Sequence, residues 1–179
     1  MILGLSGKAK SGKTTAAVYL ENDRGFVRRS FAALLRSYVA KLFGCSERQL
    51  VESAFKEQKS GVGDLTWRDL MKRTGAFLRS MDPLFFVDRI DLSGKLVVVD
   101  DVRFINEAKK IEGPDATQGI LIRLRRPQTE TGDDDISETE LDNWDFVYTV
   151  DNSGDFQQLF NRIDEILIDL GVLKGVRNE

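Results

Sequence analysis

Gly7-Lys8-Ala9-Lys10-Ser11-Gly12-Lys13-Thr14 is the stretch on which the reading of this chain turns. It fits G-x-x-x-x-G-K-[ST], the spacing with which a loop of main chain wraps an oxyanion. The two glycines let the backbone curl and aim N–H groups inward. The apolar run Met1–Ser6 precedes it and reads as a buried parallel strand, while Lys13–Glu21 follows as a helix. That helix would turn the positive end of its dipole toward an anion. Lys13 is placed to reach the outer phosphates of a nucleotide and the Thr14 hydroxyl to ligate Mg²⁺. A glycine-rich turn without a ligand is the competing reading, and the strand–loop–helix context argues against it.

Working outward, Gly25–Arg28 reads as a short strand, and Ser30–Phe43 as a helix with apolar residues every three or four positions. Ser46–Phe55 opens with a capping-box pattern, Ser46 and Gln49, and is expected to be helical. Lys56–Leu65 reads as a loop, Thr66–Met81 as a polar-capped helix and Pro83–Ile90 as a short helix. Lys95–Asp101 is the plainest strand, with Asp100 and Asp101 at its end. Asn106–Ile111 (helix), Gly119–Arg125 (strand), Pro127–Asn143 (polar loop), Phe146–Val150 (strand) and Asp155–Leu170 (helix) complete the pattern. Alternating strands and helices predict one α/β domain with a mainly parallel sheet flanked by helices, of the P-loop NTPase type.

Composition narrows the chemistry. The 179 residues include no His and one Cys, which removes Ser-His-Asp and Cys-His catalysis, His-ligated metals and internal disulfides. Carboxylates, Lys, Arg, hydroxyls, backbone groups and bound ions remain. Twenty-six basic and 29 acidic residues give a net charge of −3, so the basic excess of a stable nucleic-acid binder is missing. The apolar runs are too short to span a membrane. A cytoplasmic protein is the expectation. Cys45 has no nearby activating feature and reads as a packed or incidental thiol.

Phosphoryl transfer also needs Mg²⁺ held from a second side. An Asp at the carboxyl end of a neighbouring strand can do this, directly or through a water: Asp101, with Asp100 as the alternative. Strand-end carboxylates that cap the next helix near Arg103 are the competing reading.

The chain resembles the bacteriophage deoxynucleoside monophosphate kinases, within the P-loop nucleoside-phosphate kinase group. The resemblance runs in order through ILGLSGKAKSGKTT, Ser30-Phe31-Ala32 with Leu35-Arg36, Arg68-x-x-Leu-x-x-x-Gly75 with Arg79, and Asp101-Val102-Arg103-Phe104-Ile105-Asn106-Glu107-Ala108. It continues through Arg123, Arg125 and Arg126, then Ser137-Glu138, then Asp151-Asn152. Lys72 and Arg36 replace the Gln and Lys common in the family, and Asp135-Ile136 stands where a His is frequent. These departures bear on the choice of acceptor base more than on reaction type.

The resemblance implies transfer of the ATP γ-phosphate, assisted by Mg²⁺, to a deoxynucleoside 5′-monophosphate. Its partners would be small-molecule nucleotides, its site the host cytoplasm if phage-encoded; homodimers are common among such enzymes. It further implies a helical acceptor-binding insertion over about 30–92 and a lid over about 126–143. Gly7, Lys10, Ser11, Gly12, Lys13, Thr14 and Thr15 are the candidate ATP-binding residues. Lys13, Arg68, Arg103, Arg125 and Arg126 are the candidate catalytic ones. Arg36, Arg68 and Arg79 would hold the acceptor phosphate, because a guanidinium fork binds phosphate bidentately. Lys8, Lys59, Asp101, Asn106 and Glu138 are further substrate candidates. Phe31 and Trp67 either stack on a base or pack in a core. Arg103 touches acceptor phosphate or pairs with an aspartate; Asn106 and Glu107 orient the acceptor or start a helix. Arg125 and Arg126 are lid arginines or edge-strand charges. Glu130–Asp145 carries eight acidic and no basic residues, so it should face water or pair with arginines. A kinase of another small metabolite, such as dephospho-coenzyme A, and a non-enzymatic nucleotide switch remain the alternatives.

Overall fold

The computed structural model describes residues 1–114, 118–127 and 135–174. These divide into two compact units, 1–29 with 92–179 and 30–91.

The first unit is built on a five-stranded sheet: β1 (Ile2–Ser6), β2 (Val27–Arg29), β3 (Val97–Val99), β4 (Gly119–Arg125) and β5 (Tyr148–Asp151). Their order is β2-β3-β1-β4-β5, and every pairing is parallel. β1 is central: Ile2–Gly4 align with Val97–Val99 on one side, and Ile2–Ser6 with Gly119–Arg123 on the other. The inner strands β1 and β3 are buried on both faces and nearly all apolar, as central parallel strands must be, while the edge strands β2 and β5 are more polar and exposed.

Alternate residues of β1 serve opposite faces. Leu3 and Leu5, fully buried, join a core with Ala16, Ala17 and Leu20 of α1 (Lys13–Arg24) and Leu159, Ile163 and Leu167 of α7 (Phe156–Asp169). Each buried Leu or Ile there contributes roughly 1.5–3 kcal/mol. Gly4 points the other way. A Cβ on it would lie 2.5 Å from Leu121 Cδ2 and 3.3 Å from Ile111, so α5 (Ile105–Glu112) covers that face closely. The α1–α7 contact is pinned by Asp164, whose carboxylate accepts from Tyr19 Oη at 2.8 Å and Arg24 Nε at 2.7 Å.

The second unit is helical. Its α2 (Ala33–Phe43) packs on α4 (Trp67–Met81), and α3 (Ser53–Lys56) also meets α4. Thr66 and Asp69 close a full capping box at the start of α4. The Ser46–Phe55 expectation is corrected. Ser46 Oγ does accept from Gln49 N at 3.2 Å, but the helix lasts one turn because Glu52 adopts an extended conformation (φ −70°, ψ 123°) before α3 begins. Pro83–Ile90 likewise yields only a single 3₁₀ turn, Val87–Arg89. Within the expected polar loop lies a short helix, α6 (Ile136–Thr139), N-capped by Asp135; the first part of the expected lid, 128–134, lies outside the described residues.

Candidate nucleotide-binding site

The loop between β1 and α1 has the conformation that anion binding demands. Gly7 (φ +145°), Lys10 (φ +63°) and Gly12 (φ +105°) all take positive φ. A Cβ at Gly7 would come 2.3 Å from Leu124 O, and one at Gly12 2.2 Å from Asn152 Nδ2. Only glycine satisfies both the dihedrals and these approaches. α1 then starts with no side-chain cap and no acidic residue in its first turn. The first N–H groups of a helix have no partner within it, and here no side chain caps them. Ser11 Oγ is buried without a hydrogen-bond partner. Together these features fit a bound phosphate chain.

Lys13 is 8% exposed and donates to Gly7 O at 2.7 Å and Lys8 O at 2.8 Å. Burial, with the neighbouring Arg103 guanidinium adding to it, pushes its ammonium down to about 7. Glu138 and Asp101 act in the opposite sense. An anion laid in the loop would restore the charge.

Arg103 follows the β3 carboxylates. Its backbone N–H donates to Glu107 Oε2 at 2.9 Å, with Phe104 N adding a second bond at 3.2 Å. Glu107 thus anchors the start of α5, buried at 2% exposure. The Arg103 guanidinium donates to Ser137 O at 3.0 Å and pairs with the Glu138 carboxylate. Asp100 accepts from Arg28 Nε at 2.7 Å and from Arg28 Nη2, so Arg28 already engages its carboxylate. Asp101 is half-buried, and its charge favours the protonated form of Lys13. Among the described residues no cluster of three or more Asp, Glu or Cys is placed to hold a metal by itself.

Two residues outside the expected set complete the surroundings. Arg123 aligns with Ser6 across β1 and β4, donates to Ser6 Oγ at 3.3 Å and Asp142 Oδ1 at 2.6 Å, and lies over the Phe146 ring. Asn152 donates through Nδ2 to Ser11 O at 2.9 Å and through its backbone N–H to Arg125 O at 2.7 Å, tying the loop after β5 to the cradle. Both belong to stretches that carry the family resemblance; Arg123 lies on β4 beside β1, and Asn152 directly follows β5, the neighbour of β4.

Lys8, Lys13, Arg103 and Glu138 are therefore brought together, and Thr14 and Thr15 follow on α1, Thr14 exposed. Arg125 and Arg126 are exposed at the end of β4. Asn106 lies in the first turn of α5. The remaining candidates sit in the helical unit. Arg36 donates to Ser30 Oγ at 3.0 Å, Arg68 pairs with Glu57 at 2.7 Å, and Arg79 lies over the Phe86 ring. Lys59 donates to Asp64 O at 2.5 Å. Phe31 is buried, and Trp67, also buried, stacks on Phe55 at 5.3 Å.

No protein-family model matches the chain. A protein of Acanthamoeba polyphaga mimivirus named "Putative deoxynucleotide monophosphate kinase" is 32% identical over 163 residues, which span 79% of this chain and 82% of that one. The protein TT1252 of Thermus thermophilus has a similar fold, with 15% identity, a TM-score of 0.51, and coverage of 95% of this chain and 97% of that one. Shikimate kinase from Aquifex aeolicus matches at a TM-score of 0.48 and 15% identity, over 98% of this chain and all of its own. Among the described residues no helix is long and apolar enough to cross a membrane.

Proposed function

The chain belongs to the deoxynucleotide monophosphate kinase family, and on that premise we propose that it transfers the γ-phosphoryl group of ATP to a deoxynucleoside 5′-monophosphate, releasing ADP and the diphosphate. The observation that carries this reading is the uncapped start of α1 behind left-handed Gly12, with the Lys13 ammonium held over the loop. Such transfer asks little covalent chemistry of a protein; it asks for two anions in line and fixed positive charge around the migrating group.

Backbone N–H groups from Lys10 to Thr15 cradle the triphosphate, and Lys13 follows the charge that builds on the transferred group. Arg103 supplies a second cation beside Lys13. Thr14 and Asp101, with Asp100 as the alternative, are the residues that would hold Mg²⁺. Bound there, the ion offsets charge on the phosphate oxygens. Arg36, Arg68 and Arg79 hold the acceptor's phosphate, with Lys59 supporting and Phe31 and Trp67 shaping the base pocket. Arg125 and Arg126 contact the ATP phosphates or the adenine.

A coupled assay of ADP release with dGMP, dTMP, dCMP and dAMP tests the proposal. Turnover that depends on at least one of them is expected. ATP binding with no turnover on any of the four would refute it, and turnover on an alcohol such as dephospho-coenzyme A would move the chain to another acceptor class.

A further inference from the structure

The segment from Asp135 to Asp142 presents carboxylates to the groups that a nucleotide's phosphates need. Glu138, 8% exposed, accepts the Ala9 N–H of the cradle on Oε2 at 2.7 Å. Its other oxygen takes the Arg103 guanidinium. Lys8 Nζ donates to Glu138 O and to Asp142 Oδ2, each at 2.7 Å. The second oxygen of Asp142 takes Arg123 at 2.6 Å. Partial burial pushes the Asp142 carboxyl up, but the bonds from Lys8 and Arg123 outweigh it and hold it below the usual range.

One short stretch of chain thus satisfies three cations and one cradle N–H. A carboxylate accepting a backbone N–H and a guanidinium fork makes the same kind of charge-assisted contact as a phosphate. Both cannot occupy those donors at once. Two carboxylates beside a triphosphate would also face like-charge repulsion.

We propose that Glu138 and Asp142 are built-in counter-anions that hold the places of nucleotide phosphates, and that ATP binds by displacing them from Ala9 N–H, Lys8, Arg103 and Arg123. This rests on the nucleotide-binding reading above and adds Lys8, Ala9 and Arg123 to the phosphate-contacting set. The exchange keeps the cationic groups neutralised and ordered before substrate arrives. It also makes the affinity for a polyphosphate a difference between two anions competing for the same donors.

Calorimetry with Mg²⁺ and inorganic tripolyphosphate tests the exchange without involving acceptor or base. Glu138→Gln retains shape and the ability to accept from Ala9 N–H but removes the competing charge. It should bind tripolyphosphate about tenfold more tightly than the wild type, equivalent to ~1.4 kcal/mol. Asp142→Asn, at a more exposed position, should tighten it severalfold and serves if the first variant folds poorly. Unchanged or weaker binding in the folded variants overturns the proposal while leaving the kinase reading intact. A wild-type chain that binds neither tripolyphosphate nor ATP overturns both.

Discussion

Lys13 should take up a proton when nucleotide binds, in amounts set by pH. Its ammonium falls from 10.5 to about 7 in the folded chain, chiefly through burial. At ~1.4 kcal/mol per pH unit this corresponds to about 5 kcal/mol of penalty on the charged form. The sign follows from linkage. Between about 7 and 10.5 the unfolded chain binds the proton and the folded chain does not, so this group makes folding stability rise with pH across that window. Below about 7 both states are protonated and the whole penalty is felt. A triphosphate in the cradle reverses the local field and restores the charged form. At about pH 8.5, ATP binding should therefore take up about one proton, and at about pH 6 close to none. Calorimetric titration of ATP and Mg²⁺ in buffers of differing ionisation heat measures this number directly. Lys13→Met supplies the baseline for protons exchanged by the nucleotide itself, and should lower turnover by about 10²–10³-fold. Uptake at the higher pH that is absent, or equally large in Lys13→Met, would refute the placing of a neutralised lysine beneath the phosphates.

Two further results are expected. Gly12→Ala puts a methyl carbon 2.2 Å from Asn152 Nδ2 at a φ of +105°; ATP affinity by calorimetry should fall at least tenfold, since the clash and the dihedral cost together exceed about 1–2 kcal/mol. Asp164→Ala removes the acceptor shared by Tyr19 Oη and Arg24, and urea unfolding should show a loss of about 1.5–3 kcal/mol.

The parts of this molecule that were legible in the sequence are those whose causes are local. The apolar run of β1, the glycine spacing and the helix behind them lie within 24 residues, and each shapes the next. The polar cap at Thr66 likewise announced α4, and the structure closes it with Asp69. The failures have a common physical origin. Ser46 and Gln49 form the expected local contacts, yet only Leu50 in that turn is well buried, and a cap alone does not extend a helix without a face to pack. α6 is four residues long in a strongly acidic stretch, and what holds it is Glu138 and Asp142 reaching Lys8 and the Ala9 N–H more than 120 positions away, with Arg103 and Arg123 35 and 19 positions away. Arg123 was named in the sequence as part of the resemblance but given no role; its register opposite Ser6 gives it a place at the site, and register between parallel strands is a tertiary fact.

The all-parallel sheet has a consequence for how the chain is made. β1 cannot pair until its neighbours exist, and those neighbours begin 95 and 117 residues later, at Val97 and Gly119 opposite Ile2. At about 5–20 residues per second on the ribosome, the first strand waits roughly 6–23 s for its second partner. During that interval Ile2–Leu5 is an unpaired apolar ribbon, and the loop behind it has no rigid base from which to curve. Nascent or truncated chains that stop short of β4 therefore hold the whole binding motif in their sequence and lack the platform that shapes it, so gain of ATP affinity reports completion of the sheet.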